Sequence, residues 1–212
     1  MKAPANRDLV AGDDGIVRCW WCAGDALYMR YHDAEWGRPV ANDIRLFEKL
    51  CLEGFQAGLS WITILRKREN FRDAFHGFDP ERIAAMTGRD VNRLLKNDGI
   101  VRHRGKIEAT ISNARRLPDL IEETGSLARH VWRFEPPAAS RPRIMSRSDI
   151  APTTPESVAL STDLRRRGWR FVGPTTVHAF MQAMGLVNDH VEGCAAGREA
   201  RRARAEFRTP CQ

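Results

Sequence analysis

The chain reads as all-α. Three observations predict this. Apolar residues recur at spacings of three and four behind residues that cap helices. No stretch alternates β-branched and polar residues as half-buried strands do. Prolines gather outside the periodic segments: Pro136, Pro137, Pro142, Pro152 and Pro155 are five of the 11.

The elements follow in order. Asn42 or Asp43 caps a helix whose apolar face is Ile44, Phe47, Leu50 and Cys51. Ser60 caps the next, with Ile62, Leu65 and, further on, Phe71 and Phe75. Asp79-Pro80 starts a third, since Asp caps and Pro fits the first helical position. Asp90 starts a short helix carrying Val91, Leu94 and Leu95. After the turn Asn97-Asp98-Gly99, a helix from about His103 carries Ile107, Ile111 and Ala114. Ser126 to Phe134 is helical. Glu135 to Pro155 breaks the pattern and reads as a connector over the surface. Thr154-Pro155-Glu156 then opens a helix that stops at Arg167-Gly168, and another runs from Pro174 to Met184 before Gly185. About nine helices result, with the two ends of the chain joined. Residues 1–17 read as a flexible arm, 18–194 as the helical domain, and 195–212, with five Arg, as a fraying basic tail of helical composition.

Composition narrows the class. With 212 residues, 42% hydrophobic and 29% charged, the chain is neither disordered nor fibrous. No apolar run reaches the length of a membrane span, and Met1 to Val17 has no signal-peptide core, so a cytoplasmic protein is expected. The net charge of +7 favours a polyanionic partner, although the Arg bias tempers that inference. Five cysteines, an odd number, favour metal ligands or free thiols over a disulfide framework.

Four segments carry chemistry. Arg18 to Trp36 holds three of six Trp and both Tyr. Such crowding suits stacking on a planar ring, or else builds a small aromatic core under the arm. The same stretch contains Cys19-x-x-Cys22, a redox pair on one reading. On another, Cys19 and His32 join His190 and Cys194, spaced four apart on a helical turn, as a tetrahedral zinc set. Closing the chain this way costs on the order of 4–5 kcal/mol, against roughly 10–16 kcal/mol from structural zinc. In the third, Cys51 to Trp61, Glu53 sits among apolar neighbours. If buried, it must pair with a donor or a cation, or take up a proton; the alternative is a surface glutamate tied to an Arg. In the fourth, Arg167 to Val177 reads helix, tight turn, helix. Backbone N–H groups at such a turn form an anion site that grips phosphate without reading sequence. Gly99 to Lys106 is a second basic turn with the same potential.

Taken together, the strings YHDAEWG (31–37), CLEGFQAGLSWITILRKREN (51–70), GIVRHRGKI (99–107) and FVGPTTVHAFMQAMGLVNDHVEGC (171–194) resemble the DNA-3-methyladenine glycosylase I family of the helix–hairpin–helix glycosylase superfamily. The likeness runs from about Arg18 to Cys194. It implies two helical lobes with a zinc site joining the N- and C-terminal segments. One structural Zn²⁺ per chain would be held by Cys19, His32, His190 and Cys194. Glu53 would recognise the base inside an aromatic pocket of Trp21, Tyr28, Tyr31, Trp36 and Trp61. Leu59, beside Gly58, would wedge into the duplex, and a hairpin including Gly168, Gly173 and Thr175 would grip DNA. The implied activity is monofunctional hydrolysis of the N-glycosidic bond of 3-methyladenine in alkylated double-stranded DNA, by a monomer in the bacterial cytoplasm. Asp189 lies near where related enzymes carry a catalytic aspartate. Trp20 and Cys22 depart from the family pattern, and Cys22 is placed to compete for the metal.

Overall fold

The computed structural model describes residues 7–210. Two short strands, β1 (Leu9–Ala11) and β2 (Val17–Cys19), precede the helices. The helices are α1 (Ala26–Ala34), α2 (Asp43–Gln56), α3 (Trp61–Arg66), α4 (Arg68–Ala74), α5 (Pro80–Ala84), α6 (Gly88–Leu94), α7 (Arg104–Thr124), α8 (Leu127–Trp132), α9 (Pro155–Arg166), α10 (Pro174–Ala183) and α11 (Ala195–Glu206). Two compact units emerge. The first contains 7–39, Glu135–Pro152 and Met181–Arg208; the second contains Val40–Phe134 and Thr153–Phe180.

The second unit is built on α2. Asn42 is its cap, accepting from the Arg45 N–H. Asp43 serves a different helix. Its carboxylate accepts from Leu127 and Ala128 N–H and so caps α8 across the unit. Leu46, Phe47, Leu50, Leu52 and Phe55 face inward, whereas Ile44, expected on the apolar face, is 44% exposed in the first turn. The helix expected from Ser60 through Phe75 is broken at Lys67, whose φ of −98° and ψ of 1° separate α3 from α4. The break lets Phe71 and Phe75 reach Phe55, with ring centroids at 4.6 and 5.8 Å. Asp79 caps α5 as expected. Asp90 does not start α6. It is the third helical residue and accepts from the N–H of Thr87, the actual cap. His103 caps α7, which runs on through Pro118 to Gly125.

The first unit differs more from expectation. Within the expected arm, Leu9, Val10 and Ala11 pair with Cys19, Arg18 and Val17 in an antiparallel hairpin. The strands are too short to show alternation, so periodicity could not reveal them. Residues 1–6 lie outside the described residues. The proline-rich connector does not merely cross the surface. Ile144 is buried against Cys19, Val191 and Cys194, and its carbonyl accepts from the Glu192 N–H at 2.7 Å. Nor does the basic tail fray over its helical part. α11 buries Ala196, Gly197 and Ala200, and Arg204 pairs with Glu135.

Gly185 ends α10 with φ +76°, and a Cβ there would lie 2.5 Å from the backbone of Arg38 and Pro39. No side-chain rotation relieves a backbone clash. Gly185→Ala is therefore expected to destabilise the protein by more than about 2 kcal/mol, read as a lower midpoint in urea unfolding. A wild-type midpoint would show that the α1–α2 chain segment yields at no cost.

Candidate metal centre and base site

In the first unit, the hairpin ends on Cys19, and α1 carries His32 two turns from its cap, Asp25. His190 and Cys194 come from the segment after α10. This segment is not a helical turn, as the four-residue spacing had suggested. It is an irregular loop closed by Gly193 at φ +99° and by the Cys194 N–H bonding to the Val191 carbonyl. All four side chains are buried, and their donor atoms lie within 4.8 Å of one another.

The donor set has the dimensions of a tetrahedral site. Zn–S and Zn–N bonds of ordinary length put sulfur and nitrogen about 3.5–3.6 Å apart along a tetrahedral edge. Cys194 Sγ lies 3.5 Å from His32 Nε2 and 3.4 Å from His190 Nδ1, and Cys19 Sγ lies 3.7 Å from His190 Nδ1. The outer contacts also fit. His32 Nδ1 is 2.8 Å from the Asp33 carboxylate, leaving Nε2 for the centre, and His190 Nε2 is 3.2 Å from the Trp36 carbonyl, leaving Nδ1. Asp33 is itself held by Arg18. Hydrogen bonding from Cys19, then from His190 and His32, holds the Cys194 thiol far below its ordinary range despite burial. Cys22, outside this group of four, is buried next to it: its thiol donates to the Cys19 carbonyl at 3.2 Å and also interacts with the His32 ring.

Trp21, Tyr28, Tyr31 and Trp36 also lie in this unit. Trp21 contacts Tyr28, His32 and Trp36 at centroid distances of 4.8–5.0 Å, and Trp36 lies edge-on to His190 at 4.5 Å. Trp21 and Trp36 pack on the histidines of the Cys/His cluster, which explains part of the aromatic crowding in sequence. Asp189 is buried and accepts from Gln182 Nε2 at 2.8 Å.

In the second unit, Glu53 is 5% exposed near the end of α2. Its partner is Lys49, one turn earlier, with Nζ 2.7 Å from Oε1. The same Nζ sits 3.2 Å from the centroid of the Trp61 ring. Burial pushes the Glu53 carboxyl above its ordinary value, and Lys49 opposes the rise. Lys49 is the residue that sequence reasoning missed. The i, i+4 spacing to Glu53 was its signal, although that spacing alone does not single out Lys49 from the donors and cations that distant segments could bring.

Gly58 lets the chain turn between α2 and α3 at φ +83°, and Leu59 beside it is 43% exposed. Lys106, read in sequence as part of a basic DNA-contacting turn, is instead buried. It donates to the Phe55 and Ala57 carbonyls at 2.8 and 2.6 Å, fixing the end of α2. The turn between α9 and α10 is fixed as well. Asn113 exchanges hydrogen bonds with the Arg170 N–H and carbonyl, and Ser161 donates to the Val172 carbonyl. Gly168 supplies φ +79°; Gly173 precedes α10, with open space around its Cα, and Thr175 is exposed in the first turn.

The protein is helical, with a buried carboxylate at the end of α2, an exposed leucine on the following turn, and a helix–turn–helix fixed by hydrogen bonds. The methyladenine glycosylase family model matches residues 21–197, and the chain belongs to that family. DNA-3-methyladenine glycosylase 1 of Escherichia coli (strain K12) is 50% identical over 179 residues, 84% of this chain and 96% of that protein. A crystal structure of a 3-methyladenine DNA glycosylase I is 54% identical, covers 84% of this chain and 98% of its own, and superposes with a TM-score of 0.79. The Staphylococcus aureus enzyme, solved to explain 3-methyladenine recognition, is 36% identical with a TM-score of 0.81, over 85% of this chain and 96% of its own. Among the described residues no helix is long and apolar enough to cross a membrane.

Proposed function

We propose that the chain is a base-excision repair glycosylase that flips 3-methyladenine out of alkylated double-stranded DNA and hydrolyses its N-glycosidic bond, without cutting the strand. The observation that carries this reading is the buried Glu53 carboxylate linked through Lys49 to Trp61. Alkylation at N3 makes the nucleoside a cation. When its C1′–N9 bond breaks, the electron pair goes to the base, which leaves neutral. A water oxygen bonds to C1′ and loses a proton. The leaving group needs little acid catalysis, so the protein has chiefly to select and extrude the base.

Each residue contributes to selection or extrusion. Leu59, on the rigid turn after α2, fills the gap left in the stack. Trp61 stacks on the extruded base, a contact worth about 0.5–2 kcal/mol more for a cation when desolvated. Glu53 accepts hydrogen bonds from the adenine edge and offsets its charge; a neutral adenine leaves that carboxylate under-compensated. Trp21, Tyr28, Tyr31 and Trp36 are assigned to the base pocket on the family resemblance. The turn before α10, which Gly168 closes with its own N–H bonded to the Arg165 carbonyl, grips a phosphate through backbone N–H groups at Gly173 and Thr175. Zinc held by Cys19, His32, His190 and Cys194 ties the N- and C-terminal segments into one lobe, and four protein ligands mark the site as structural. Strand cleavage needs an amine that attacks C1′, and no lysine is assigned that role: Lys49 pairs with Glu53, and Lys106 donates to two carbonyls.

The carboxylate must be ionised to meet a cation. Because burial raises its pKa above 4.5, excision is expected to fail on the acid side at a pH above the ordinary glutamate range. Protonation on lowering the pH removes the negative charge, so kcat/KM falls there and recovers as pH rises. A profile that stays flat to pH about 4.5 contradicts this role. Chromatography of bases released from methylated duplex DNA tests the activity itself.

A further inference from the structure

The ammonium of Lys49 lies between the two residues to which the proposed function assigns the base, Glu53 and Trp61. Its Nζ lies 3.2 Å from the Trp61 ring centroid, nearer than the separation at which two flat rings stack. The same atom is 2.7 Å from Glu53 Oε1, so the occupied face of the indole is the one the carboxylate addresses. No purine can stack there and bond to Glu53 while the ammonium stays. We propose that Lys49 is a specificity-determining residue, an internal cation that holds the base position and is exchanged for the positive charge of the extruded base. The proposal rests on the base-excision reading above.

The consequence is selection by charge balance. Expelling Lys49 strips a buried carboxylate of its partner, a costly change. A cationic base restores the balance at both Glu53 and Trp61, whereas a neutral base restores neither. The lysine is suited to the exchange. Its four-carbon stem is flexible and its ammonium is readily hydrated once it reaches solvent, whereas a guanidinium would be held by its planar fork. Unliganded, the pair also spares the carboxylate from lying buried and alone.

The experiment uses two free probes with the whole protein: 3,9-dimethyladeninium, a fixed cation, and 9-methyladenine, its neutral parent. In the unliganded protein the Lys49 ε-methylene is bonded to the Nζ that lies over the indole face, so upfield displacement of its proton NMR signals is expected. A Lys49→Met spectrum, which lacks them, assigns the signals. Saturation with the cation is expected to return them to the ordinary lysine position, while the neutral probe at the same concentration leaves them displaced. Signals that remain upfield in the saturated cation complex overturn the exchange.

Binding supplies a second arm. Without Lys49, burial favours a protonated Glu53, which can donate to neutral purines. Lys49→Met is then expected to shrink the preference for cation over neutral by about tenfold or more, and to move the acid limb of excision to higher pH. An unchanged preference and an unmoved limb contradict the proposal. If neither probe binds a wild-type protein that still releases 3-methyladenine from methylated DNA, the exchange fails and the base-excision reading stands. If that release is absent too, the reading beneath it falls.

Discussion

Replacing Cys194 with alanine is expected to abolish stoichiometric zinc and to lower stability by several kcal/mol. The thiolate sits at the centre of the cluster, within 3.4–3.5 Å of a nitrogen of each histidine, so its loss opens the coordination shell. Structural zinc in small sites contributes roughly 10–16 kcal/mol of binding energy, of which a folded domain loses only part when one ligand goes. The damage should be confined in kind. Cys19 and His32 hang from the hairpin and α1, while His190 and Cys194 lead into α11, so the N- and C-terminal segments of that unit loosen from each other. Metal analysis of the purified variant and thermal unfolding with and without a chelator check this. Wild-type metal content would show that the ligand set is wrong. Cys22→Ala serves as the contrast. Cys22 lies outside the four-donor group although its thiol adjoins His32, so full metal content is expected.

The second large effect is on excision. Glu53→Gln keeps size and hydrogen-bonding capacity but removes the charge. Hydrogen bonds to charged groups are worth about 1.5–3 kcal/mol, so kcat/KM for 3-methyladenine should fall on the order of 10–100-fold. The variant also leaves the Lys49 ammonium buried without its counter-ion, which costs stability. For that reason unfolding is measured alongside activity. A folded Glu53→Gln protein with full excision would remove Glu53 from recognition. A loss of excision matched by unfolding at the assay temperature would assign the residue to the fold alone.

Much of the helical frame was legible in the sequence because capping chemistry is local. Asp79-Pro80, Thr154-Pro155 and Gly185 mark their helix ends by rules that need only neighbouring residues. What was hidden depends on distance. Asp43 looks like a cap for its own helix, yet it caps α8, a contact 84 residues away. Lys67 breaks one expected helix into two because the phenylalanine cluster requires a change of direction. The hairpin at residues 9–19 is too brief to show a period, and Ile144 inside a proline-rich stretch gives no pattern at all. In the candidate site, a buried Glu53 was expected to find a donor, a cation or a proton, and its position in sequence does not single out Lys49 among these. Composition also misdirected the reading of Lys106. A lysine in a basic turn looks solvent-facing, and only the open carbonyls of Phe55 and Ala57 show why it turns inward.

In the proposed function a buried carboxylate, linked to the Trp61 indole through Lys49, selects a positively charged purine. The plainest readout of that selection is the identity of the bases that the wild-type protein liberates from one duplex carrying both methylated and ordinary adenine. Free 3-methyladenine, intact strands and no ordinary adenine are predicted. Release of ordinary adenine at a comparable rate, or no release above a heat-inactivated control, would refute selection by charge.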